Sequence, residues 1–252
     1  MRVETALLRV EDLQKSFGGV AAVDGVSMEV RRGEVHAVIG PNGAGKTTLI
    51  SLLAGELRPD RGRVLFGGRD IARRPAHARA RLGFARSFQI TSVVPGMRVV
   101  DNVMLAVLAR DGRSFGFWRP ARNDPALIRP AMAALERVGL AEVAEERAGA
   151  VSHGEHRQLE IAMTLAAEPE LLLLDEPMAG MSAEESRRMT GILEDLKGEK
   201  TMLLVEHDMD VVFALADRIS VLVGGRIAAS GAPEAVRADE AVRRAYLGDE
   251  AA

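Results

Sequence analysis

The 252-residue sequence has no cysteine, which excludes disulfides, thiolate metal sites and cysteine nucleophiles and fits a reducing compartment. It also lacks any run near the roughly 18 apolar residues that a membrane-spanning helix needs. Stretches such as Leu171–Leu174 and Val211–Ala216 stay far short of that length, so the chain is not expected to cross a bilayer by itself. Its start, Met1-Arg2-Val3-Glu4, carries an acid and no long apolar run; it is unlike a secretory signal, and a cytoplasmic location is expected. Aromatics are scarce, with one Trp and one Tyr. The arginines at 69, 73, 74, 79, 81 and 86 are accordingly not interleaved with stacking rings, and they are expected to form a solvated face rather than a nucleic-acid surface. Neither sign of charge dominates: the formal net charge of −3 names no partner. Lysine is rare too, at four of the 33 basic residues, and one of the four, Lys46, lies in a glycine-rich loop.

What is present is an ordinary globular composition, 47% apolar and 27% charged, long enough for one large α/β domain or a core with an inserted lobe. Ala6 to Val30 reads as short alternating strands broken at Phe17-Gly18-Gly19 and Asp24-Gly25, hence antiparallel β structure. Glu34 to Ile39 is a compact strand running into the glycine-rich turn, and Lys46 to Ala54 has helical spacing. From about Thr91 to Ala167 the pattern is mainly helical, with helices expected at Val99–Ala109, Leu127–Val138 and Arg157–Ala167. The connection Asp111–Pro130, which holds Gly, Pro, Asn, two Phe and the Trp, reads as a loop or broken helix. Strands at Leu171–Leu174, Thr201–Val205 and Arg218–Val223 then alternate with crossover segments, as in a parallel sheet.

Gly40-Pro41-Asn42-Gly43-Ala44-Gly45-Lys46-Thr47 stands between a strand and a helix and fits the phosphate-loop spacing. Residues without bulk let successive backbone N–H groups converge on phosphate oxygens, and the helix adds its positive end. Lys46 is expected to neutralise β and γ oxygens of a bound nucleotide and Thr47 to offer its hydroxyl to Mg²⁺, with Thr48 completing the nucleotide-binding set. Leu171-Leu172-Leu173-Leu174-Asp175-Glu176 reads as a buried parallel strand presenting two acids at its C-terminal edge, where ligands bind. Alone, such a pair is more often a helix N-terminal charge. Beside a phosphate loop it assigns Asp175 to Mg²⁺ and Glu176 to the water that attacks the γ-phosphate.

Val151-Ser152-His153-Gly154-Glu155 opens a helical stretch upstream of Asp175 and resembles the Leu-Ser-Gly-Gly-Gln type segment of the ABC transporter ATPase family. Ser152 and Gly154 match it; Val151, His153 and Glu155 depart. The resemblance implies that Ser152 and Gly154 bind the γ-phosphate of a nucleotide held by the opposite subunit. Glu155, an added anion beside phosphate, is then expected to point away or to pair with Arg157. The same resemblance implies that Gln89 senses Mg²⁺ and attacking water, that His207 contacts the γ-phosphate and orients Glu176, and that Phe17 stacks on adenine. Ala179-Gly180-Met181-Ser182 occupies a crossing loop that in many relatives holds an aspartate, absent here. This sequence, with Arg86-Ser87-Phe88-Gln89, Leu159-Glu160-Ile161-Ala162, Val205-Glu206-His207-Asp208-Met209 and Ala245-Tyr246-Leu247-Gly248, is similar to the uptake branch for branched-chain amino acids and urea.

The resemblance covers about residues 5 to 248. It implies a RecA-like P-loop α/β core with a parallel sheet and an N-terminal antiparallel β subdomain (5–90 and 168–250), and an inserted α-helical subdomain (91–167). It further implies an ATP hydrolase at the cytoplasmic face of the membrane, working with transmembrane permease subunits, a second ATPase subunit in a homo- or heterodimer, and indirectly a periplasmic or extracellular substrate-binding protein. Three rivals are a soluble ABC-type ATPase without a membrane partner, a GTPase-type switch, which the lack of an Asn-Lys-x-Asp motif opposes, and a nucleotide-binding scaffold without turnover.

Overall fold

A computed structural model describes residues 6–86, 93–111 and 123–239. Two 12-residue strands, β1 (Ala6–Phe17) and β2 (Val20–Arg31), pair antiparallel. The turn between them passes through Gly18 at φ +58°. Strands β4 (Arg61–Phe66) and β5 (Arg69–Asp70) extend this to a four-stranded sheet of order β2-β1-β4-β5. The expected break at Asp24-Gly25 does not end a strand. Gly25, at φ +73°, lies where the register shifts between Leu13↔Val26 and Gln14↔Asp24; it is a bulge, which bends β2 without terminating its pairing.

The second sheet has six strands in the order β10-β9-β3-β8-β7-β6: β3 (Val35–Ile39), β6 (Phe84–Arg86), β7 (Leu171–Asp175), β8 (Thr201–Val205), β9 (Arg218–Val223) and β10 (Arg226–Gly231). All neighbours in it are parallel except β9 and β10. Both faces are buried. In β7, Leu172 and Leu174 join one apolar cluster while Leu171 and Leu173 join another, and β8 divides Met202 and Leu204 from Leu203 and Val205 in the same way. Four successive leucines favour a helix by at most about 0.7 kcal/mol per residue. Burial of each contributes about 2 kcal/mol, so packing between two layers decides for strand.

One layer is α1 (Lys46–Ala54) with the antiparallel sheet, α1 burying Leu49, Ile50, Leu52 and Leu53. The other contains α3 (Val99–Asp111), α4 (Pro125–Arg137), α5 (His153–Ala166) and α6 (Ala183–Leu196). Helix α4 starts within the span expected to be a loop or broken helix: Asp124 caps it by accepting from Ala126 N–H, Pro125 takes the first turn, and Pro130 is accommodated inside it. Short helices α2 (Ala76–Ala80), α7 (Met209–Leu215) and α8 (Pro233–Ala238) complete the described chain.

The arginine cluster departs from the expected solvated face at two positions. Arg79 is 1% exposed. Its guanidinium donates to the carbonyls of Leu52 (2.8 Å), Leu53 (2.5 Å), Ala72 (3.0 Å) and Arg74 (2.9 Å), closing the C-terminal end of α1 where carbonyls have no partner within the helix. Burial lowers its pKa to about 10, opposed by Asp70. Arg86, 5% exposed, bridges Glu56 (2.6 Å) and Asp175 (2.7 Å).

His36, on β3, is also buried; its Nδ1 lies 2.9 Å from Glu29 O and its Nε2 2.8 Å from Ser220 Oγ. Burial lowers its pKa from 6.5 to about 4, against the opposing influence of Glu34 and the Glu29 carbonyl. The unfolded chain therefore takes up this proton first as pH falls. Stability attributable to His36 is intact above pH 6.5 and is lost between 6.5 and about 4, by about 3 kcal/mol. Denaturant melts across that interval should show a steeper loss in the wild type than in His36→Gln; equal slopes would assign the acid sensitivity to other groups.

Candidate functional site

The register of β3, β8 and β7 places the predicted residues. Val38 pairs with Val205 and Asp175 pairs with Val205, so three parallel strands end side by side. The glycine-rich loop follows β3, His207 follows β8, and Asp175 with Glu176 closes β7. Strand β6 ends next to β7 at Arg86; Gln89, three residues on, lies outside the described residues. The C-terminal edge of a parallel sheet is where α/β folds bind ligands.

Within the loop, packing demands two of the three glycines, Gly40 and Gly45. A Cβ on Gly40 would come within 2.1 Å of Leu222 O, and one on Gly45, at φ +103°, within 2.1 Å of Ala22 O. Gly43, at φ +78°, has open space around it. The loop is thus clamped between β9 and β2, and the Gly45 contact brings the start of β2 over it. Phe17 pairs with Val20 two residues before Ala22. Its ring is half exposed, with Lys15 Nζ 5.6 Å from the centroid.

Lys46 Nζ donates to Gly40 O (2.5 Å) and Pro41 O (3.1 Å), folded back over its own loop. Burial pulls its pKa below the ordinary lysine value, and the carboxylates of Glu176 and Asp175 oppose that shift. Lysine and both acids therefore share one electrostatic neighbourhood. Glu176 is held at φ +48°, the left-handed region that a non-glycine residue enters at a cost of roughly 1–2 kcal/mol, and its N–H donates to Val205 O at 2.8 Å. Thr47 and Asp175 supply hard oxygen donors, the kind Mg²⁺ takes, so the donor set fits that ion. His207 has a largely exposed ring whose Nδ1 is 3.6 Å from Glu206 Oε2.

Ser152 caps α5, accepting from Glu155 N–H at 3.2 Å, while the Glu155 carboxylate accepts from Ser152 N–H at 2.8 Å. This reciprocal capping box answers where the extra anion goes: Glu155 turns back onto the helix start, and Arg157 pairs with Glu160 instead. Ser152 and Gly154 line a cleft of about 70 Å³ with Glu155, Gln158, Glu185 and Arg188, none of which comes from the phosphate loop or the end of β7. His153 sits against the crossing loop, its Nε2 3.3 Å from where a Cβ on Gly180 would be.

Three charged residues of this region escaped sequence reasoning. Arg86, expected on a solvated face, instead holds Asp175. Glu185 opens α6 in a second capping box with Ser182, and its Oε1 also accepts Gly154 N–H at 3.0 Å. The Ser182 backbone N–H chiefly keeps the Glu185 carboxyl below the usual carboxylate range, with Gly154 and His153 adding to it. Glu206 is fully buried beside His207. The one available signal was Ser182-x-x-Glu185, a capping-box spacing; nothing in sequence indicated that Glu185 would reach α5.

Comparison with known proteins identifies the family and the fold. The profile of a family described as "ABC transporter" matches residues 23–179, and one described as "Branched-chain amino acid ATP-binding cassette transporter" matches residues 226–252. The chain is 37% identical over 252 residues to the high-affinity branched-chain amino acid transport ATP-binding protein LivG of Salmonella typhimurium, covering 96% of this chain and 98% of that one. It is 37% identical over 250 residues to BraF of Pseudomonas aeruginosa, with the same coverage. An ATP-binding cassette of an ABC transporter in its ADP conformation superposes with a TM-score of 0.85 at 31% identity, covering 97% of this chain and 99% of that one. A nucleotide-free cassette does so with 0.83 at 29%, covering 96% and 99%.

The two kinds of loop glycine should be separable. Gly43→Ala, with open space at its Cβ, is expected to destabilise the fold by about 1 kcal/mol through φ alone. Gly45→Ala must displace the β2 backbone and should cost clearly more in a urea melt; equal costs would mean that the Ala22 contact is not a constraint.

Proposed function

This chain belongs to the ABC transporter family and is a transport-coupled ATP hydrolase; from that premise we propose that it powers uptake of branched-chain amino acids through separate membrane subunits. The observation that carries the site assignment is the meeting of Lys46, Asp175 and Glu176 at one sheet edge, where both acids act on the lysine charge. The substrate assignment rests on the LivG and BraF relatives and on the match at residues 226–252. Urea or another small solute is the alternative cargo.

In the proposed mechanism Lys46 exchanges its bonds to the Gly40 and Pro41 carbonyls for the β and γ oxygens of ATP, while loop N–H groups and the α1 N-terminus take the remaining phosphate charge. Thr47, Asp175 and Gln89 would hold Mg²⁺, which would supply positive charge to offset the charge developing on the phosphates. Phe17 offers a π face to adenine. Glu176 accepts a proton from water as the water oxygen bonds to the γ-phosphorus and the bond to the β–γ bridging oxygen breaks; His207 contacts the γ-phosphate and orients Glu176. A second ATPase subunit contributes Ser152 and Gly154 in trans. In the isolated chain Gly154 N–H serves Glu185, so the partner's γ-phosphate replaces one anion by another when the dimer closes, and loss of that phosphate removes the differential affinity.

Membrane subunits are proposed to dock around residues 89–99 and the helical layer, where Val94 and Leu105 are 40% and 41% exposed. No helix among the described residues is long and apolar enough to cross a membrane; the proposed peripheral place at the cytoplasmic face, beside separate permease subunits, rests on the transport relatives. A substrate-binding protein on the other side completes the proposed importer.

Glu176→Gln should retain ATP, dimerise in its presence and lose turnover on the order of 10²- to 10³-fold, whereas Lys46→Ala should lose tight ATP binding. Phosphate release and light scattering with ATP read both, and wild-type hydrolysis by Glu176→Gln would remove that residue from its role. Copurification with integral membrane subunits separates the transporter from a free-standing soluble ATPase.

A further inference from the structure

We infer that Glu206 is a positioning residue for hydrolysis, tying the backbone behind Glu176 to the start of the His207 turn so that base and phosphate-contacting histidine are held as one unit. The inference rests on the roles proposed for those two residues and adds a third that touches neither substrate nor reacting atoms.

Glu206 follows the last residue of β8 and is 0% exposed. Its Oε1 accepts Met178 N–H at 3.0 Å and its Oε2 accepts His207 N–H at 3.0 Å. Among the described residues its ion-pair geometry is with the His207 ring alone, at 3.6 Å. A carboxyl buried without lysine or arginine is costly, and the five residues before it, Thr201–Val205, are all buried in the sheet. An apolar side chain would continue that strand at lower cost. Glutamate at this place instead makes two hydrogen bonds to backbone, one on each of the segments that carry the reacting groups.

The need for such a tie is visible at Glu176. Its backbone sits in the left-handed region at φ +48°, a conformation that persists only where surroundings over-determine it. Two bonds from one stretch of chain bracket it: Val205 O takes Glu176 N–H, and the next residue, Glu206, takes Met178 N–H. The end of β8 thus holds the Glu176 loop on both sides, and the second hold belongs to a side chain.

Two variants test this in the full-length chain. Glu206→Asp is too short by one methylene to span Met178 and His207, and Glu206→Gln must set an amide N–H₂ against one of two backbone donors. A displacement of the base by about 1 Å is expected to lower kcat on the order of 10²-fold, with KM for MgATP and the number of ATP-binding sites per chain within about twofold of wild type. Combined with Glu176→Gln, either change should add little further loss, because both act on the same step. Wild-type kcat in both variants, or a fall in kcat matched by an equal fall in binding-competent sites, would reduce Glu206 to a structural residue and overturn the inference. The base assignment fails independently, by undiminished turnover of Glu176→Gln alone.

Discussion

The hydrogen-bonded register of β3, β8 and β7 is the constraint on which the site depends. Because both faces of these strands are buried, a slip of one residue would move every side chain to the opposite layer, so the positions at which the strands end are set by packing far from the chemistry. Those ends then decide where Lys46, Asp175, Glu176 and His207 emerge. A loop of perfect phosphate-binding sequence after a strand of different register would face no acid. The leucines of β7 and the apolar residues of β8 in this sense support the proposed catalytic site, although none has a reactive group.

At the starts of α5 and α6 the chain uses anions and backbone N–H groups in a repeated way. Glu155 and Glu185 both occupy helix N-termini, where negative charge is favoured, and both close capping boxes. Glu185 also spans from α6 to Gly154 N–H on α5. In the proposed dimer this donor is wanted by phosphate, which makes the carboxylate a placeholder that keeps the helix start satisfied until a stronger anion arrives. The departures from the usual family sequence at His153 and Glu155 are locally accommodated, one against the crossing loop and one in the cap.

Buried charge elsewhere follows the same economy. Arg79 spends its donors on carbonyls at the end of the phosphate-loop helix, Arg86 joins Asp175 to Glu56, and His36 links β3 to Glu29 and Ser220. Each is costly to bury and each joins segments distant in sequence. Isolated surface pairs such as Arg9–Glu29 contribute little by comparison.

From sequence alone, the phosphate loop, the acids closing an apolar strand, Ser152 at a helix start and the strands at 201–205 and 218–223 were all legible. Each depends on residues adjacent in the chain and on periodicity or spacing that local chemistry dictates. The bulge at Gly25 was misread as a break, because a left-handed glycine signals both until its partner strand is known. The helix expected at Leu127–Val138 starts two residues earlier, at Pro125, within a span of mixed loop-forming residues, and Arg79 and Arg86 resemble surface charge in sequence because burial is a property of neighbours. What only the tertiary structure decided is which distant groups share an environment: Lys46 with Glu176, Asp175 with Arg86, Gly154 with Glu185, Met178 with Glu206. Those pairings arise from sheet register and layer packing between segments tens of residues apart, and no local pattern encodes them.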